Sequence, residues 1–345
     1  MKMNNRRKPK FSALISLDEV EAYEGYLVTW LADVATTYLI NLRLSGTLVK
    51  EKSGLLCKEA DEYVTELKKK NPNICESVPL PLPPNDTSEH YNLCKAVEMI
   101  CDYNRGKVET YALPPALSLE FTEYVRAFMS REKLKRDVVG VESILHGLAV
   151  IGAHISYAYY DRQRGERGYV FIDVPNPEAI EYRKLSGMAV RVTRSVNDNE
   201  GTKLSLLVGV ASAIALTYGA TLKEVTSKSP LKADFVRLVK TGNKVMLKAF
   251  ETLDLSNLAR HIQRLGIASP IYSLTSNYPP SEKHVLRSFV QRLSKAIVIC
   301  ESLNDYTEIY STLRLITSEN FLRELKSYYE NWREIIDSLL EIRVS

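Results

Sequence analysis

Apolar positions along the first hundred residues recur with the spacing of helices. Leu27, Leu31, Val34, Tyr38 and Leu42 trace one face, and Ser16-x-x-Glu19 has the form of a capping box, so a long helix is predicted from near Ser16. A second helix is predicted over Lys58–Lys70, ending at Asn71-Pro72 because the residue before proline is pushed out of helical geometry. Pro79, Pro81, Pro83 and Pro84 exclude helix and central strand from 76–89. Further helices are predicted near 90–104 and 118–136, and over Val138–His154. The period then changes to two. Ile155, Tyr157 and Tyr159 alternate with smaller residues, Arg162–Gly168 reads as a charged turn, and Tyr169–Val174 reads as a returning strand. Met188–Thr193 is predicted as another strand, followed by a turn at Asn197–Gly201.

Beyond Lys223 the pattern is read as helical again. Ser229-Pro230 has proline where a helix opens well, Ser281 follows the break at Pro279-Pro280, and Ser318 starts a helix running to about Glu341. The predicted fold class is therefore α+β and predominantly helical. It has a small antiparallel sheet embedded between helices, within 155–208, and a C-terminal helical bundle. Three regions are expected: a helical region 1–136 with a proline-rich linker at 76–89, an α+β region 137–222, and basic helices with a bundle at 223–345.

The 345 residues suffice for two or three domains, and 45% hydrophobic with 26% charged residues is an ordinary globular composition. Leu204–Leu222 is long and uncharged enough to span a membrane, but it is rich in Gly, Ala, Ser and Thr and is read as a core helix, with no membrane partner expected. The basic start runs into Asp18, Glu19 and Glu21 instead of an apolar stretch, so a signal peptide is not expected and the assigned compartment is the cytoplasm. Of the five cysteines, Cys57, Cys75, Cys94 and Cys101 lie within 57–101 and are not in CxxC pairs. Their spacing permits zinc, disulfides or isolated thiols, the last being the simplest reading.

The net charge of +4 is unevenly placed. Lys223–Lys295 holds 13 Lys/Arg against 5 Asp/Glu, a balance of +8, whereas Glu301–Ser345 holds 5 against 9, a balance of −4. The first ten residues add Lys2, Arg6, Arg7, Lys8 and Lys10, which read as a basic arm. Such asymmetry suits an anionic partner on one region. Lys240, Lys244 and Lys248 are four apart and would share a helix face beside Arg237, with Arg260 and Arg264 extending the positive surface. The hairpin tip adds Arg162, Gln163, Arg164 and Arg167, with Tyr157, Tyr159, Tyr160 and Tyr169 on its strands. These types bind phosphates, reach base edges and stack on unpaired bases. A solvated charged face is the competing explanation for each.

Enzyme motifs are missing: there is no GxxxxGK[ST], GxGxxG, HExxH or GxSxG. His146 and His154 stand two helical turns apart, too far to share a metal without further ligands. Asp161, Glu166 and Asp173 surround the predicted hairpin and would suit a metal-dependent nuclease, or else a turn paired with its own arginines. No cofactor is expected.

The order of parts carries a resemblance. The helical start at Tyr23–Leu44, the segment Gly147–Ala153 leading into the tyrosine-rich hairpin, and the helical C-terminal unit together resemble the large subunit of archaeal type I-A CRISPR interference complexes. The likeness lies in layout and size, not in a short motif. It implies a non-catalytic, nucleic-acid-binding subunit of a crRNA-guided antiviral surveillance complex, contacting the target DNA backbone and flanking motif. A crRNA-bearing multi-subunit assembly and a separate helicase-nuclease are the implied partners. Some relatives carry zinc on CxxC pairs, which this chain lacks. A metal-dependent nuclease and a protein-only scaffold are the alternatives.

Overall fold

In a computed structural model, residues 13–82, 88–114, 116–119, 139–242 and 244–342 are described. The basic arm and the helix expected over 118–136 lie outside them, apart from 118 and 119. Helices predominate and the class is α+β, as expected. The chain divides into two compact units that are not consecutive in sequence. The first comprises 1–157, 162–167 and 237–250, and the second 158–161, 168–236 and 251–345.

The first unit is organised by α1 (Leu27–Ile40) and α4 (Ser143–Ser156). Both are apolar around most of their circumference, which is the signature of a helix covered on several sides. They pack closely because α4 carries glycines at the crossings. A Cβ on Gly152 would fall on the Leu31 carbonyl, and one on Gly147 on the carbonyl of Ala96 in α3 (Leu93–Asn104). The long α2 (Gly46–Lys70) buries Val49, Ser53, Leu56, Ala60 and Val64, a single stripe, and the Ser45 hydroxyl caps it by accepting from Leu48 N–H. Lys68, Lys69 and Lys70 sit in its last turn, where the helix dipole favours cations. A three-stranded sheet adjoins these helices. β1 (Ala13–Ile15) runs parallel to β3 (Val139–Glu142), pairing Leu14 with Gly140, and β2 (Thr110–Ala112) runs antiparallel to β3 on its other side.

Four cysteines pair: Cys57 of α2 with Cys101 of α3, and Cys75 with Cys94. Disulfides, one of the three outcomes their spacing allowed, therefore replace the isolated thiols. Only Cys300 is unpaired among the cysteines, and it is buried. Beyond Cys75 the proline-containing segment 77–82 has no regular structure and is held by side chains from elsewhere in the unit. His154 Nε2 donates to Ser77 O at 3.1 Å, and the Arg167 guanidinium donates to Val78 O at 2.9 Å and also to Leu80 O.

The second unit is built around α6 (Lys203–Tyr218), which α5 (Tyr182–Asp198), α8 (Ser256–Leu265), α9 (Ala268–Ser276) and α10 (His284–Leu303) surround. Together with α7 (Leu222–Lys228), α6 forms a 26-residue helical run long and apolar enough to cross a membrane. Just over half, 56%, of its most apolar window is covered by the protein itself. The C-terminal helices α11 (Thr307–Leu313), α12 (Glu319–Tyr328) and α13 (Trp332–Leu340) complete the expected bundle. Phe289 of α10 meets Phe321 of α12 at 4.6 Å between ring centroids, and Ser318 caps α12 through Phe321 N–H.

Each of the four strands of the second sheet contributes residues to both units. Its order is β4 (Tyr157–Asp161), β5 (Glu166–Asp173), β6 (Lys232–Thr241), β7 (Lys244–Asp254). The hairpin β4–β5 was legible in the sequence; β6 and β7 were not. Ser229-Pro230 leads into a strand instead of opening a helix, and Lys240, Lys244 and Lys248 lie on strands. Spacing by four satisfies a period of two as well as 3.6, and Gly242-Asn243 between two apolar-alternating runs is a hairpin signal that outweighs it. Met188–Thr193 errs the other way. It lies inside α5, whose buried Tyr182, Leu185, Ala189, Val192 and Val196 repeat at helical intervals.

Boundaries moved elsewhere. After Ser16 comes a 3-10 turn, Leu17–Tyr23, to which the Ser16 side chain gives no cap. Residues 139–142, assigned to a helix, form β3, and α10 begins at His284 without a cap from Ser281. The helix predicted from Ser318 to Glu341 is broken between α12 and α13.

Two substitutions test this packing. Gly152→Ala should lower stability by about 2–3 kcal/mol, because backbone lies where the new methyl must go. Cys57→Ser, which opens the disulfide of sequence separation 44, should cost about 3–4 kcal/mol through denatured-state entropy. Urea unfolding of each variant beside the parent measures both.

Candidate nucleic-acid interface

Turn chemistry places the basic residues. β4 and β5 are joined through 162–165, where Gly165 takes φ +61°, and β6 and β7 through 242–243, where Gly242 takes φ +57°. Both values lie in the left-handed region that glycine enters without steric cost. Lys240 N–H donates to Gly165 O at 3.3 Å, so the two tips lie side by side. Arg162, Gln163 and Arg164 on one tip, and Lys240 and Lys244 on the other, are all exposed. Among the described residues, Arg162, Lys240 and Lys244 enter no ion pair.

Behind the tips is a buried carboxylate. Glu166 is only 3% exposed, and its oxygens receive Lys248 Nζ and, at 3.7 Å, Arg237 Nη1. The three residues come from β5, β6 and β7, so the contact ties three adjacent strands through one face of the sheet. Two cations offset a charge that would be costly to bury alone. Lys248 and Arg237 are thereby committed to the fold, though each side chain remains 40% exposed.

The ten sequence-nominated residues divide accordingly. Arg162, Gln163, Arg164, Lys240 and Lys244 gather at the tips. Arg237 and Lys248 hold Glu166, and Arg167 holds the segment 77–82. Arg260 and Arg264 are on α8 in the second unit, where Arg260 bonds Asn257 Oδ1 and Arg264 donates to His261 Nδ1 at 2.9 Å. Of the tyrosines, Tyr160 is 45% exposed whereas Tyr169 is buried, so only the former offers a ring face to solvent among that pair.

For a metal-dependent reading, Glu166 presents oxygens already paired with two cations. Among the described residues no three His, Cys, Asp or Glu side chains come together to hold a metal ion. Sequence reasoning missed the role of Glu166. An acidic residue two places from Arg164 and Gly168 reads as a turn charge until β6 and β7 are known to bring cations to it.

Lys248→Met should cost about 1–3 kcal/mol, because it strips a charged hydrogen bond from a buried carboxylate. Lys240→Met and Lys244→Met should each stay within about 0.5 kcal/mol of the parent. Chemical denaturation separates the two classes. Comparison with protein-family models, with curated proteins and with solved structures finds no match to this chain.

Proposed function

We propose that the chain binds nucleic acid through the phosphate backbone, with the paired hairpin tips as the contact. The carrying observation is the convergence of Arg162, Arg164, Lys240 and Lys244 on two turns joined by the Lys240–Gly165 hydrogen bond. Cations on protruding turns approach a duplex or a strand without burying the sheet, and each phosphate they neutralise releases counterions. Gln163, between the two arginines, has the length and the donor–acceptor pair to reach a base edge.

With the resemblance in overall layout, this makes the chain a non-catalytic large subunit of a crRNA-guided antiviral surveillance complex. Guide pairing reads sequence there, and the protein supplies backbone and flanking-motif contacts. A helicase-nuclease partner does the cutting, and the compartment is the cytoplasm. The two disulfides fit that compartment in cells whose intracellular proteins retain them, as those of hyperthermophilic archaea do.

Fluorescence anisotropy on labelled DNA across a salt series tests the contact. The triple variant Arg162→Ala, Lys240→Ala, Lys244→Ala should bind more weakly and lower the log–log salt slope by about 2–3. An unchanged slope would overturn the assignment of the tips. Recovery of the native protein with small processed RNAs and several other subunits is expected; a lone protein free of RNA would remove the complex from the reading.

A further inference from the structure

The second unit carries a groove of about 500 Å³ between α5 and α9 that the hairpin tips do not explain. Gly187, Val190, Arg191, Arg194 and Asp198 of α5 line it in helical succession, and Ser276 of α9 faces them. Arg191, Arg194 and Asp198 are exposed.

Three features of α5 are unfavourable for a helix with no ligand. Gly187 lies in the helix interior, where alanine is the more stable residue, yet nothing stands within 4 Å of where its Cβ would be. The protein itself therefore does not require a glycine there. Asp198 is the last residue of α5, where the helix dipole disfavours an anion. Among the described residues its carboxylate makes no hydrogen bond or ion pair, and partial desolvation raises its carboxyl pKa against the opposing pull of Arg194. Two guanidinium groups three residues apart concentrate charge on one turn.

The groove is also firmly built. Arg194 Nε donates to Ala158 O at 2.8 Å, which fixes the side chain and leaves both Nη groups for a ligand. Ser195 Oγ accepts Tyr278 N–H at 2.6 Å, and Asn199 Nδ2 donates to Ser195 O at 2.9 Å, so the end of α5 is pinned to the segment after α9.

We propose that this groove binds a nucleoside phosphate, free or within a strand. Arg191 and the Nη groups of Arg194 form a planar fork for the phosphate. The bare backbone at Gly187 and the Val190 side chain give the base a flat apolar approach. Asp198, one turn beyond Arg194, accepts a hydrogen bond from a sugar hydroxyl. The site shares no residue with the tips, and neither assignment depends on the other.

Isothermal titration with adenosine 5′-monophosphate, adenosine and a 5′-phosphorylated oligonucleotide tests it. The protein is used both as the parent and with the tip residues Arg162, Lys240 and Lys244 changed to alanine. Saturable binding of the monophosphate, or of the oligonucleotide in the tip variant, is expected. Arg191→Gln and Gly187→Leu should each weaken it about tenfold or more, with melting temperature and circular dichroism at parental values. Binding of the monophosphate alone identifies a free nucleotide as the source, and binding of the oligonucleotide alone identifies a strand. The proposal is overturned by adenosine binding as tightly as its monophosphate, by affinity indifferent to both variants, or by no binding of either probe in the tip variant.

Discussion

A single buried carboxylate sets the terms for the basic end of the first unit. Glu166 cannot be buried alone, and the cost of dehydrating it selects for cations within reach. β6 supplies Arg237 and β7 supplies Lys248, so the pairing of three strands and the neutralisation of one charge are the same event. Buried ion pairs contribute little net stability compared with apolar packing, but they penalise alternatives sharply. A one-residue slip of β7 would turn Lys248 to the opposite face and leave the carboxylate short of a partner. That constraint decides which basic residues belong to the fold and which are left at the turns.

The fold class was legible in the sequence because it rests on long periodic segments. α1 and the first hairpin declared themselves through apolar spacing and a charged turn, and α6 through a long uncharged stretch. The failures fall where two periods coincide. Residues at 240, 244 and 248 satisfy both helix and strand, and at 188–193 Met188, Val190 and Val192 alternate while lying on a helix whose buried Tyr182, Leu185, Ala189, Val192 and Val196 keep helical spacing. Local pattern cannot separate these cases; the turn at Gly242-Asn243 and the full length of α5 can. The candidate site was half legible for the same reason. The arginines of the first tip were visible as a turn, but the second tip existed only once β6 and β7 were strands. Arg167 and Lys248 look the same in sequence as Arg164 and Lys244, and only their buried acceptors distinguish them.

Glycine plays two different parts in this chain. In the first unit, Gly147 and Gly152 let helix backbones meet where a side chain has no room. In the second unit, Gly209 does the same against Thr275 and Val192, whereas Gly187 faces open space and serves no internal contact. The same residue type thus marks packing in one place and vacancy in the other, and the surroundings alone tell them apart.

The disulfides have a consequence for how the chain is made. The Cys75–Cys94 loop lies wholly inside the Cys57–Cys101 loop, and all four cysteines precede α4 in the chain. Because synthesis is vectorial, α2 and α3 can be stapled to each other before α4, which packs on α3, has emerged. Local pairing favours the inner bond, with its shorter separation, as the first to form. The order of the cysteines thus lets the α2–α3 pair be crosslinked independently of the helix that later packs on α3.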